Sequence, residues 1–146
     1  MVRSEGGTLV RAAALSDADA VWRLTRGFAT SFTPERGAFD AAFTALVSRP
    51  DTLLAVAVRD GMVVGYLLAS HHLTLFANGR VCWVEEVMVD ADQRRHGVGR
   101  HLVQAAERWA ADSGAAYVAL ATRRANAFYL ALGYEESATF FKKTLG

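Results

Sequence analysis

Two groups of residues have types and spacings that could do chemistry. The first is Asp90 to Val103, DADQRRHGVGRHLV, where Arg94, Arg95, His96, Gly97, Val98, Gly99 and Arg100 directly precede an amphipathic run. A glycine costs roughly 1 kcal/mol against alanine inside a helix, so two of them at a helix start call for bare backbone. One reading is an anion cradle, in which the N–H groups of residues 95–100 point at a pyrophosphate at the helix N-terminus. The helix dipole and the arginines would then favour the negative charge. The other reading is a flexible basic turn. A dinucleotide fingerprint is excluded by the missing third glycine and by the lack of an acidic residue between Asp112 and Glu135. A nucleoside triphosphate P-loop is excluded because no lysine precedes Lys142.

The second group is Glu85 and Glu86, adjacent carboxylates inside the apolar strand pattern VCWVEEVMV. Strand alternation sends successive side chains to opposite faces, so only one of the two easily faces water. A carboxylate in a partly dry cleft gains proton affinity and becomes suited to general-base work; an exposed edge or an arginine salt bridge is the structural alternative. His71 and His72 point to opposite faces of the preceding strand, so that one of them is a second candidate base. The lone Cys82 reads as a small buried side chain rather than an acyl-accepting nucleophile, since no histidine is placed to activate it. The four histidines and one cysteine lack ligand spacing, and no metal site is expected.

The elements that must position these residues follow from periodicity. A strand is expected over Thr8 to Ala12, then a helix capped by Ser16, and a second helix from Pro34 or Glu35 to Ser48. Asp60-Gly61 and Asn78-Gly79 are hairpin turns that tie three strands into an antiparallel meander. GVGRHLVQAAERWAADSG is a helix with Val98, Leu102, Ala105, Ala106 and Trp109 on one face. A strand AAYVALA, a short helix RRANAFYLAL and a last strand ATFFKKTL complete the order β α α β β β α β α β.

The chain of 146 residues reads as a single domain, 1–146, long enough to bury a core. A net charge of +1 marks neither a nucleic-acid binder nor a membrane-surface protein. No apolar segment approaches the roughly 20 residues of a membrane span. One cysteine allows no intramolecular disulfide, which points to the cytoplasm.

VEEVMVDADQRRHGVGRHLV and ANAFYLALGY together resemble the GNAT superfamily of acyl-CoA-dependent N-acyltransferases. Arg94-Arg95-His96-Gly97-Val98-Gly99 is similar to that family's Q/R-x-x-G-x-G/A pyrophosphate loop, and Phe128-Tyr129 with Leu132-Gly133-Tyr134 resembles its second signature. The resemblance implies an α/β fold with a mixed, mostly antiparallel sheet, about four flanking helices and two strands that splay around acetyl-CoA. It implies that the main chain of Val87, Met88 and Val89 pairs with the pantetheine arm, and that Arg94 to Arg100 hold the pyrophosphate, with Asn126 also near the cofactor. Thr122 stands where relatives often carry an asparagine.

By the same resemblance, Glu85 matches a catalytic glutamate of polyamine-acetylating relatives, and Tyr129 the tyrosine that protonates the leaving sulfur. Glu86 would hold the ammonium, or the two glutamates would exchange roles. The implied activity is transfer of the acetyl group of acetyl-CoA to a primary amine by direct attack, releasing CoA. Glu85, Glu86 and Asp40 suit a small cationic amine, and Trp22, Phe28, Phe32, Phe39 and Phe43 are pocket or core. A peptide N-acetyltransferase and a non-catalytic acyl-CoA-binding module are the alternatives. Pairing through the C-terminal strand edge TFFKKTL would give a homodimer.

Overall fold

The computed structural model describes residues 2–3, 7–27 and 32–146. Its strands are β1 (Val2–Arg3), β2 (Leu9–Ala12), β3 (Thr52–Arg59), β4 (Met62–Thr74), β5 (Gly79–Val89) and β6 (Val118–Leu120), which form one sheet in chain order. All neighbouring strands are antiparallel except β5 and β6, which run parallel because helix α3 (Val98–Asp112) crosses over between them. The tight turn at Asp60-Gly61 has both residues left-handed, at φ 51° and 75°, as a two-residue hairpin of matching twist demands. The next hairpin turns through Leu75 to Asn78, so β4 stops at Thr74 rather than near Phe76.

Each sheet face has its own core. On one face Val98, Leu102, Ala106 and Ala110 of α3, spaced by four residues, bury with Val103 against Ala55, Leu67, Cys82 and Val84. On the other face α1 (Ala18–Arg26) and α2 (Arg36–Val47) bury Val21, Leu24 and Phe43 against Leu54, Val56 and Tyr66. Glu35, not a helical residue, caps α2 by accepting the amides of Gly37 and Ala38.

The start of α1 differs from expectation. Residues Leu15–Asp17 form a 3-10 turn, and Asp17 rather than Ser16 does the local work. Its carboxylate accepts both terminal nitrogens of Arg11, at 2.7 and 2.9 Å, and the amide of Ala14 at 2.7 Å. The Arg11 hydrogen bonds hold Asp17 below the ordinary carboxylate range, against the opposing effect of burial. With its folded value depressed, the stability Asp17 contributes is complete above the unfolded carboxylate range near pH ~4. It is lost as pH falls through the folded value. Asp17→Ala is expected to cost about 2–3 kcal/mol, read as a lower urea midpoint at neutral pH, and to flatten the stability loss between neutral and acid pH.

The expected last strand, ATFFKKTL, is absent. After α4 (Asn126–Ala131) the chain runs without regular structure to Gly146, leaving Phe140 62%, Phe141 88% and Leu145 85% exposed. Strand propensity is realised only against a partner, and the outermost strand, β6, is three residues long rather than the seven of AAYVALA. The edge expected for a homodimer is therefore not formed in the single chain.

Candidate active site

β5 and β6 pair only at Cys82, Trp83 and Val84 with Val118, Ala119 and Leu120. Past Val84 the two strands part. β5 continues to Val89 paired with β4 on one side, while its other edge faces a gap in the sheet. The main chain of Val87, Met88 and Val89 lies along that gap; Val87 and Val89 pack their side chains toward α3, and Met88 packs toward α1 and α2. An extended ligand with amide groups fits such an edge as an added strand would.

The break in pairing coincides with a bulge. Leu68 faces Glu86 and Ala69 faces Val84, which leaves Glu85 unpaired. Val84 and Val87, three residues apart, both join the α3-side core, an arrangement that strict alternation forbids and one extra residue permits. The expectation of opposite faces is corrected accordingly: Glu85 and Glu86 both turn toward the α1/α2 side. Glu85 is exposed and lines a pocket of about 200 Å³ with Leu46, Arg49, Thr52, Leu68 and Ser70.

Glu86 is partly buried, and its Oε1 accepts a 2.6 Å hydrogen bond from the Tyr66 hydroxyl. Tyr66 is 2% exposed, and Thr25 Oγ1, which donates to the Val21 carbonyl, lies 3.3 Å from its oxygen. Burial first, then the charge of Glu86, push the Tyr66 phenol far above its usual range, so it remains a donor at working pH. Sequence reasoning missed Tyr66. The available signal was a hydroxyl-bearing ring inside the apolar run MVVGYLLA, where a polar tip needs a partner.

The glycine loop begins after a 3-10 turn, Ala91–Gln93, capped by Asp90. Arg95 has φ 78° and Gly97 φ 73°, and Gly97 is the N-cap of α3. A left-handed arginine is a strained conformation that clusters at functional sites. The first helical bond runs from the His101 amide to the Gly97 carbonyl, which leaves the amides of Val98, Gly99 and Arg100 without helical partners. Arg94, Arg95, His96 and Arg100 are exposed around this end.

Gly99 is under no such constraint. A Cβ there would lie 3.4 Å from the Phe128 ring and 3.8 Å from Val89, in ordinary contact. Beside Gly97, the ring of His101 carries a buried Nδ1 without a hydrogen-bond partner among the described residues. Left-handed glycine, unpaired amides, surrounding arginines and an orphaned ring nitrogen together fit a pyrophosphate-bearing ligand.

Tyr129 sits on α4, half-buried, edge-on to Phe128 at 4.9 Å and to Tyr134 at 5.7 Å. Burial raises its phenol above the ordinary range, and its hydroxyl makes no hydrogen bond among the described residues. Tyr134 is tied down by donating to Glu107 at 2.7 Å. Tyr129 packs on the α3 side of the sheet, and the glutamates face the other side. Asn126 donates its side-chain amide to Glu136 at 3.0 Å.

Several other candidates are placed elsewhere. His71 stacks on Trp109 of α3 at 4.8 Å, on the face opposite the glutamates, and His72 is exposed. His71 therefore does not face the glutamates. Cys82 is fully buried, and burial pushes its thiol up to about 11, which removes it as a nucleophile. Asp40 is engaged by Arg36, which also binds Asp19. Phe43 is core, Phe39 stacks on it, Trp22 meets Phe39 at a tilt, and Phe32 is exposed under Lys142. Phe28 lies outside the described residues. No group of three or more metal-ligating side chains occurs among the described residues, and no helix there is long and apolar enough to cross a membrane.

Residues 18–134 match the model of the acetyltransferase (GNAT) family. The chain is 31% identical over 112 residues to the aminoalkylphosphonate N-acetyltransferase of Salmonella typhimurium (strain LT2), covering 74% of this chain and 73% of that one. It is 39% identical over 72 residues to an aminoglycoside N(6')-acetyltransferase type 1 of Acinetobacter genomosp. 13, covering 45% of this chain and about half, 49%, of that protein's length. The crystal structure of glucosamine-6-phosphate N-acetyltransferase from Arabidopsis thaliana superposes with a TM-score of 0.84 at 19% identity, over 95% of this chain and 99% of that one. The likeness to that structure is one of fold.

Proposed function

Since this chain belongs to the acetyltransferase (GNAT) family and is an acetyl-CoA-dependent N-acetyltransferase that releases CoA, we propose that its acceptor is the primary amine of a small molecule. The observation that supports this most is the bulge. It turns two adjacent carboxylates to one side of the sheet where β5 and β6 part, and Glu85 opens into a pocket of only about 200 Å³. The relatives named for aminoalkylphosphonates and aminoglycosides also act on small amines.

Acetyl-CoA supplies the acetyl group as a thioester, and the acceptor nitrogen forms its bond to that carbonyl carbon as the C–S bond breaks. The amine arrives protonated and loses one proton to Glu85, which frees its lone pair for attack; the second proton leaves the nitrogen as the amide forms and replaces the one that Tyr129 gives up. Glu86, fixed by Tyr66, holds the ammonium in place before that transfer. Tyr129, kept protonated by burial, gives its proton to the departing sulfur. The main chain of Val87 to Val89 and the loop from Arg94 to Arg100 hold the cofactor, with the unpaired amides of α3 at its phosphates. With Cys82 buried, transfer is direct, in a ternary complex.

Thiol release measured against small amines and short peptides tests this reading. Small amines are expected to exceed peptides in kcat/KM by at least tenfold. A peptide preference would move the acceptor to an open groove and overturn the proposal.

A further inference from the structure

We infer that the acceptor carries an anionic group as well as its amine, the amine facing Glu85 and the anion facing Arg49. This inference rests on the reading of Glu85 as the wall that meets the amine. Arg49 and Glu85 line the same pocket of about 200 Å³ beyond the C-terminal end of α2. In a space that small, one molecule a few bonds long meets both charges. Leu46 and Leu68 supply apolar wall for its short linker, and Ser70 supplies a hydroxyl that donates to an anionic oxygen, while the Thr52 hydroxyl already donates to Asp51 at 3.2 Å.

Arg49 is available for this. Its Nε and Nη2 fork onto Asp51, each at 3.1 Å, and its Nη1 makes no hydrogen bond among the described residues. The Arg49 and Asp51 side chains are 57% and 43% exposed, and an exposed pair of that kind contributes little by itself. The fork does restrict the guanidinium plane, which lowers the ordering cost of receiving a second anion.

The charge pattern also discriminates. A diamine or polyamine would set its second ammonium against the guanidinium, a like-charge contact that disfavours it. An uncharged alkylamine would leave Nη1 of Arg49 and the Ser70 hydroxyl without a ligand partner. A short zwitterion, with its amine separated by a few carbons from a phosphonate or carboxylate, satisfies both ends.

The test uses the full chain at saturating acetyl-CoA with 2-aminoethylphosphonate, β-alanine, n-propylamine and putrescine. The zwitterions are expected to exceed n-propylamine in kcat/KM by tenfold or more. Arg49→Gln is expected to reduce that ratio at least tenfold, and Arg49→Lys, which keeps the charge, to recover part of it. If putrescine or n-propylamine is preferred, or if Arg49→Gln leaves the ratio unchanged, this inference falls while the small-amine reading stands. Turnover of peptides with none of the four amines overturns both.

Discussion

Glu85→Gln is expected to lower kcat/KM for the amine acceptor by about 10²- to 10³-fold, the range that loss of a positioned general base produces. The exchange preserves size and hydrogen-bonding reach, and Glu85 is an exposed, unpaired bulge residue, so neither packing nor strand pairing is disturbed. Acetyl-CoA affinity is expected to stay within about twofold, because the proposed cofactor contacts are main chain and the α3 loop; a fall confined to kcat/KM for the amine is the signature of a lost proton acceptor. The comparison with Glu86→Gln decides between the two carboxylates. Glu86 is held by Tyr66 at 2.6 Å, so its replacement is expected to act mainly on acceptor KM. Should Glu86→Gln abolish turnover while Glu85→Gln leaves it intact, the base is Glu86 and the roles exchange.

Gly97→Val is expected to raise the acetyl-CoA dissociation constant tenfold or more. At φ 73° the position is left-handed, where a β-branched residue is a true outlier and each L-residue costs roughly 1–2 kcal/mol. The loop must therefore rearrange, and the amides of Val98 to Arg100 lose their common direction. Space is the smaller effect, since a Cβ would lie 3.4 Å from Arg100 Nη2 and 3.5 Å from the His101 ring. Gly99→Ala serves as the contrast: no positive φ is required there, and a methyl meets Phe128 at ordinary contact distance, so its effect is expected to stay below threefold. Calorimetric titration of each variant with CoA measures both. An unchanged constant for Gly97→Val would remove the loop from phosphate binding.

The loop and the hairpins were legible because their signals are local. Asp60-Gly61 and Gly97 adopt the left-handed backbone that their types permit, and α3 keeps the four-residue spacing of Val98, Leu102 and Ala106. The bulge was not legible. Alternation is the default for any strand, and the extra residue shows only when Val84 and Val87 are seen in one core. Tyr66 escaped notice for a related reason: its partner lies on the next strand, twenty positions along the chain, and register across a bulge cannot be counted from sequence. The C-terminal aromatics misled in the opposite direction. Phe140 and Phe141 have strand propensity, but propensity does not supply the neighbouring edge that a strand must have. His71 was half legible, on a strand as expected, with its face decided by Trp109.

With the donor bound as proposed, the parting of β5 from β6 would couple the enzyme's persistence to its metabolic surroundings. An open strand edge inside a sheet is a template for unwanted association, and the proposed site places the donor along that edge. Mass action then makes the bound thioester a stabiliser of the folded chain: at one hundred times its dissociation constant it adds about 2.7 kcal/mol. With the donor in that proposed site, a good supply of it would keep the gap filled and the chain folded, whereas depletion would expose the edge.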